Sequence, residues 1–220
     1  MVLDPPCSGD WGQPGNRPGA CLASPGDAKA TQVGVCDLSG PQGTASAEVT
    51  DPASIQAAAA RVGEHLGGSG LNLLINNAGM AKVSSLDTET PENMIHVYTT
   101  NMVGPLLLGQ AFLPLLKKAA QGSLGSALSC SKAAIINMSS SAGSIEEIYL
   151  WNHGQVVSYR CSKAALNMLT KCQSLRYREH GILCAALHPG WVQTNTGNSV
   201  GHALGVSPDF PGEGFGCPDP

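Results

Sequence analysis

Apolar and polar positions change in register along the chain, and between Ala47 and Thr196 they spell out alternating strands and helices. Ala47-Glu48-Val49 predicts a short strand. Asp51 follows as an N-cap with Pro52 at the first helical position, and Ile55, Ala59, Val62 and Leu66 recur on one helical face. Leu71 to Ile75 is a continuous apolar run, which suits a strand buried on both sides of a parallel sheet, and it ends in the polar Asn76-Asn77-Ala78-Gly79. Thr90 and Pro91 open a helical stretch that reaches about Ala120, with a break near Gly104-Pro105. Ala133 to Met138 is a second buried strand, ending in Ser139-Ser140-Ser141-Ala142-Gly143. Val156 to His180 shows helical periodicity through Ala164, Ala165, Met168, Leu169 and Leu175, and Gly181 closes it. Ile182 to Leu187 is the last strand and runs into His188-Pro189-Gly190. This alternation predicts an α/β fold with a parallel sheet.

The flanks differ. Residues 1–45 hold fourteen Gly or Pro and no sustained period of 3.6 or 2, so they read as an irregular segment. Residues 197–220, with six glycines and four prolines, read as an irregular tail. The division expected is therefore 1–45 irregular, 46–196 folded and 197–220 irregular, and 220 residues leave room for one domain with a sizeable core.

A net charge of -4 and a charged fraction of 13% describe a weakly acidic soluble protein, and no basic surplus points to nucleic acid. The start lacks the basic and apolar regions of a secretory signal. The apolar stretch from Gly104 to Leu116 is too short to span a bilayer, so a cytoplasmic protein without a membrane partner is expected. The eight cysteines have no Cys-x-x-Cys and no paired His spacing, so they read as reduced thiols rather than disulfides or metal ligands, with Cys161 and Cys184 as small buried side chains.

In parallel α/β sheets, ligands bind beyond the carboxyl ends of the strands, which gathers Asn76, Ser140 and Pro189 around one crevice. Tyr159 and Lys163 lie one turn apart on one face of a predicted helix. A tyrosine hydroxyl titrates near 10, and an adjacent ammonium lowers it; a shift of about three units is roughly 4 kcal/mol, within reach of a lysine plus a positively charged nicotinamide ring. Such a pair can act as a general acid. Gly197-Asn198-Ser199-Val200-Gly201 matches the nucleophile elbow of hydrolases, but it lacks the preceding strand, the following helix and an acid between Ser199 and His202, the only later histidine.

The run Ser158-Tyr159-Arg160-Cys161-Ser162-Lys163-Ala164-Ala165-Leu166 resembles the active-site helix of the short-chain dehydrogenase/reductase superfamily. Asn76-Asn77-Ala78-Gly79, Asn137-Met138-Ser139-Ser140 and Pro189-Gly190-Trp191-Val192-Gln193-Thr194 resemble its other signatures, in the same order. The wording is most similar to the carbonyl-reductase branch that includes sniffer and the C-factor-like proteins. The resemblance implies a Rossmann-like doubly wound sheet and NADP as cofactor, with NAD as the alternative. Tyr159 would donate a proton to a small carbonyl substrate, Lys163 would depress its pKa and hold the ribose, and Asn101 would hold a water in the proton relay. Ser140 would bond the substrate oxygen, with Ser139 as the alternative. Asn76, Ala78 and Gly79 would line the cofactor crevice together with Tyr159 and Lys163, while Pro189, Gly190, Val192 and Thr194 would receive the nicotinamide end. Glu48 or Val49 falls where the family contacts adenine.

The family pattern is incomplete here. Its opening strand, Thr-Gly-x-x-x-Gly-x-Gly turn and helix have no counterpart, since Gly9, Gly12 and Gly15 neither follow an apolar strand nor precede an amphipathic helix. The last strand is also unrecognisable after Thr196. In the strand order 3-2-1-4-5-6 the missing first strand is central, which would leave one edge of the Leu71–Ile75 strand exposed. Two functions follow: an NAD(P)H-dependent reductase of a small carbonyl compound, or a catalytically silent truncated or splice-variant form that pairs with a full-length relative. A homodimer through the helices near 104–120 and 156–180 is the corresponding expectation for partners.

Overall fold

The computed structural model describes residues 31–36, 44–122, 127–146, 148, 151 and 155–190. Five strands form one sheet: β1 (Thr31–Cys36), β2 (Thr44–Ala47), β3 (Leu73–Asn76), β4 (Ala134–Met138) and β5 (Leu183–Leu187), in the spatial order β2-β1-β3-β4-β5. Four helices accompany them: α1 (Pro52–His65), α2 (Pro91–Tyr98), α3 (Gly104–Gly122) and α4 (Val157–Tyr177). The segment β3-β4-β5 is parallel with in-line registers, Leu73 opposite Ala134 and Ala134 opposite Leu183. The chain therefore has the expected Rossmann-like α/β architecture, and Asn76, Met138 and Leu187 end three adjacent strands on one side.

Local chemistry starts the helices where the sequence places them. The Asp51 carboxylate accepts from the Ala53 amide at 3.0 Å and caps α1 ahead of Pro52. Thr90 does the same for α2, accepting from Asn93 at 3.2 Å. Ile55, Ala59, Val62 and Leu66 are all buried, and with Leu108, Phe112 and Leu116 of α3 they cover Leu74 and Ile135 of the sheet. Each large side chain in this layer contributes about 1.5–3 kcal/mol by leaving water. The approach is close at Gly70, where an added Cβ would stand 2.0 Å from the Ala119 amide nitrogen.

The break expected near Gly104-Pro105 is a π turn, Thr99–Val103, joining α2 to α3 without interrupting the helix. The Gly104 amide reaches back to the Thr99 carbonyl, and Pro105 has no N–H to give to Asn101 four residues earlier. Glycine is required at 104 because a Cβ would lie 2.9 Å from the Val49 carbonyl oxygen.

Two expectations need correction. Residues 1–45 are not wholly irregular: β1 lies within them, and the strand anticipated at Ala47-Glu48-Val49 ends at Ala47. Second, the edge of β3 is not open. The strand β1 fills the central place but runs antiparallel to both neighbours, with Val35 opposite Leu74 and Cys36 opposite Leu73. A single strand separates β2 from β3. The tail 197–220 and its Gly-x-Ser-x-Gly run lie outside the described residues. Among the described residues, no helix is long and apolar enough to cross a membrane.

Candidate functional site

Helix α4 carries Tyr159 and Lys163 on the face turned toward the carboxyl ends of β3 and β4. The Lys163 ammonium donates to the Met138 carbonyl at 2.7 Å and lies 5.5 Å from the centre of the Tyr159 ring. Burial pulls the lysine pKa down to about 8. The Tyr159 pKa is raised, because burial outweighs the opposing influence of the neighbouring Ser140 hydroxyl. The expected lowering of the Tyr159 pKa by Lys163 is thus absent from this arrangement: the ammonium is committed to the end of β4. The phenol stays protonated at neutral pH, the form from which a proton donor begins.

The two serines after Met138 point to different tasks. The Ser139 hydroxyl donates to Asn167 on α4 at 2.6 Å, and the Ser139 amide donates to Leu187 at the end of β5 at 2.7 Å, so this residue joins β4, β5 and α4. Ser140 faces Tyr159 and accepts from the Ala142 amide at 3.1 Å, opening a short 3-10 turn, Ser141–Gly143. That turn rests directly on α4: a Cβ on Gly143 would fall 2.6 Å from the Lys163 carbonyl carbon.

Asn101 is fully buried in the π turn. Its amide brackets Met80, accepting from the Met80 amide at 2.8 Å and donating to the Met80 carbonyl at 2.9 Å, and it also donates to the Ser162 hydroxyl at 2.9 Å. Ser162 passes the link on to the Tyr159 carbonyl at 2.7 Å. Both amide hydrogens of Asn101 are thus engaged, and its backbone carbonyl has no α-helical donor because Pro105 lacks an N–H. Gly79 lies close by, its notional Cβ 3.5 Å from both Asn101 Oδ1 and Lys163 Nζ.

Asn76 begins a second buried polar string. It donates to Asn137 at 2.7 Å, and Asn137 donates to Thr170 at 2.8 Å and Gln173 at 3.0 Å on α4. Asn76 Oδ1 is buried without a partner. The structure thus gathers Asn76, Gly79, Asn101, Ser140, Tyr159 and Lys163 in one region. Pro189 and Gly190 follow β5, with Gly190 at φ 75°. Val192 and Thr194 lie outside the described residues. Glu48, placed at the adenine end, instead uses its carboxylate to accept from the Thr50 amide at 3.2 Å and hydroxyl at 2.8 Å.

The buried face of α4 is polar: Ser158, Ser162, Lys163, Thr170 and Gln173 accompany Leu166. Its apolar residues Met168 and Leu175 are exposed, as is Cys161, which corrects the expectation that this thiol is buried. Cys184 is buried as expected, and desolvation pushes its thiol up to about 12. Sequence reasoning missed Ser162, Thr170 and Gln173 as organising residues. An asparagine inside the apolar run Ala134–Met138 was the signal that a buried amide needed partners.

A family model described as short chain dehydrogenase matches residues 20–204. The chain belongs to this family. Among solved structures it is similar to the NADPH-bound carbonyl reductase from chicken fatty liver, with 72% identity and a TM-score of 0.67, covering 69% of this chain and 56% of that one. It is also similar to the carbonyl reductase Sniffer of D. melanogaster, at 37% identity and a TM-score of 0.64, covering 71% of this chain and 64% of that one. C-signal of Myxococcus xanthus is 35% identical over 128 residues, 58% of this chain and 69% of that protein. The short chain dehydrogenase thus spans little more than half the length of the chicken enzyme.

Proposed function

We propose that this short chain dehydrogenase carries the proton-transfer half of a carbonyl reductase site, with Tyr159 as donor to a small carbonyl substrate. The observation that supports this most is the buried Lys163 ammonium, 5.5 Å from the centre of the Tyr159 ring, with the Ser140 hydroxyl on the same side of the site. In this reading, the Tyr159 hydroxyl, protonated at neutral pH, and the Ser140 hydroxyl point their O–H groups at the substrate oxygen. As negative charge develops there, the proton moves from Tyr159, and Lys163, 5.5 Å from the ring centre, is a cation close to the resulting phenolate. The Asn101 carbonyl would order a water through which Lys163 and Tyr159 recover a proton.

The residues fit a nicotinamide dinucleotide on one side only. Lys163 and Tyr159 offer an ammonium and a hydroxyl to a ribose, and Asn76, Ala78, Gly79, Pro189 and Gly190, followed by Val192 and Thr194, would line the nicotinamide end. When bound, NADPH, or NADH as the alternative, supplies the hydride. The pyrophosphate side does not fit in the same way, because the carboxyl end of β1 points away from Asn76 and brings no helix N-terminus to the crevice.

That reversed strand favours a second reading, in which the chain is catalytically silent and associates with a longer relative through the exposed apolar residues of α4. Titration with NADPH and NADH, followed by nucleotide fluorescence and thermal unfolding, separates the two. A reductase gains about 2.7 kcal/mol at a hundred times the dissociation constant. Tyr159→Phe is expected to keep that gain while lowering carbonyl reduction by about 10²–10⁴. No stabilisation by either nucleotide overturns the reductase reading.

A further inference from the structure

Helix α4 begins under conditions that a helix does not ordinarily choose. Its N-cap is Val156 at φ 41° and ψ 50°, a left-handed conformation that is strained for a β-branched residue. The cap has no side-chain hydrogen bond, and the first turn holds no acidic residue. The orphan amides of a first turn need acceptors. They find them on a compact turn far away in sequence. Glu89 Oε2 accepts from the Ser158 amide at 3.1 Å, across 69 residues, and the Ser84 carbonyl accepts from the Val156 amide at 2.9 Å.

The turn that presents this carboxylate is itself braced. The Glu89 amide donates to the Ser85 carbonyl at 2.9 Å, and the Ser85 amide donates to the Thr88 hydroxyl at 3.0 Å. Glu89 Oε2 also receives the Ser84 hydroxyl, while Oε1 receives the Thr90 amide at 3.1 Å. A further tie runs from the Leu86 amide to Gln155 Oε1 at 2.7 Å, and the Gln155 carbonyl in turn accepts from Arg160 Nε at 2.8 Å. Burial raises the Glu89 pKa, but hydrogen bonds from Ser84, Ser158 and Thr90 more than offset that, so the carboxylate is charged at neutral pH. An anion at a helix N-terminus is favourable.

Ser158 immediately precedes Tyr159. We propose that Glu89 is a positioning residue for the proton donor: its carboxylate fixes where α4 starts, and thereby where the Tyr159 hydroxyl stands relative to Ser140. This rests on the reading of Tyr159 as the donor. Glu89 touches no reacting atom; it acts through the helix start. The strained Val156 then has a purpose, since it lets the chain turn into α4 with its cap supplied from outside.

The test reads Tyr159 directly, in the full chain and without turnover. Protein labelled with ring ¹³C-tyrosine is examined by NMR, with the Tyr159 signal assigned by its loss in Tyr159→Phe and with Tyr98 and Tyr177 as internal references. In Glu89→Ala the Tyr159 signal is expected to shift and broaden while the references stay in place. Glu89→Gln is expected to restore the wild-type signal, because its one oxygen can still accept from Ser84 and Ser158. An unchanged Tyr159 signal in Glu89→Ala, equal movement of all three signals, or no recovery in Glu89→Gln overturns the proposal. Failure of the reductase reading shows up separately, as absent nucleotide binding in the unsubstituted chain.

Discussion

Lys163 holds its charge in a buried place, and the folded chain bears the consequence. Its pKa is about 8, against 10.5 for an ordinary lysine, so between these values the unfolded chain binds more protons than the folded one. Stability contributed by this residue therefore rises with pH across that window and is lowest below pH 8. The full span corresponds to about 3 kcal/mol. Chemical denaturation at pH 7.5 and 9.5 checks this: Lys163→Met should remove the upward slope, and an identical slope in the two proteins contradicts it. At this scale the sequence was informative, because Tyr159 and Lys163 share a helical face by spacing alone. The choice between Ser139 and Ser140 was not readable there. Adjacent serines at a strand end look alike until the surroundings of each are known: Ser139 bonds to Asn167, and Ser140 faces Tyr159.

At the scale of elements, the site depends on a turn lying flat against a helix. Gly143 makes this possible, and Gly143→Ala would force Cβ into the Lys163 and Ala164 backbone, 2.6 and 2.8 Å away. A loss of about 1–3 kcal/mol in denaturation is expected, along with displacement of Ser140 from Tyr159. Gly122→Ala, which meets nothing within 4 Å, serves as the control and should cost less. Helix starts at Asp51-Pro52 and Thr90-Pro91 were legible because capping is local chemistry. The orientation of α4 was not, since its buried side is held by Asn101, Asn137 and Ser139, partners supplied by other elements. Periodicity of Met168, Leu169 and Leu175 marks a helix correctly but cannot say that Met168 and Leu175 face outward.

Over the whole molecule, the sheet is continuous but unevenly joined. The strand β1 meets β3 at two residue pairs, Val35–Leu74 and Cys36–Leu73, whereas β4 meets β5 at five, from Ala134–Leu183 to Met138–Leu187. Hydrogen exchange should therefore find the amides of β1 and β2 opening well below the global unfolding energy, on the order of tenfold or more faster than those of β4. Equal protection across the sheet would show β1 to be as firmly integrated as the parallel strands. This strand escaped sequence reading because Thr31–Cys36 carries Gly34 and sits among glycines and prolines; its pairing is a tertiary choice. The π turn before α3 works at the same scale. One extra residue in a helix advances the following face by about 100°. The long rod from Pro91 to Gly122 thus presents one bearing to α4 and another to α1 and the sheet, and the asparagine at the change of phase is the one that clasps Met80 and Ser162. A phase shift of one residue lets a single rod serve two neighbours.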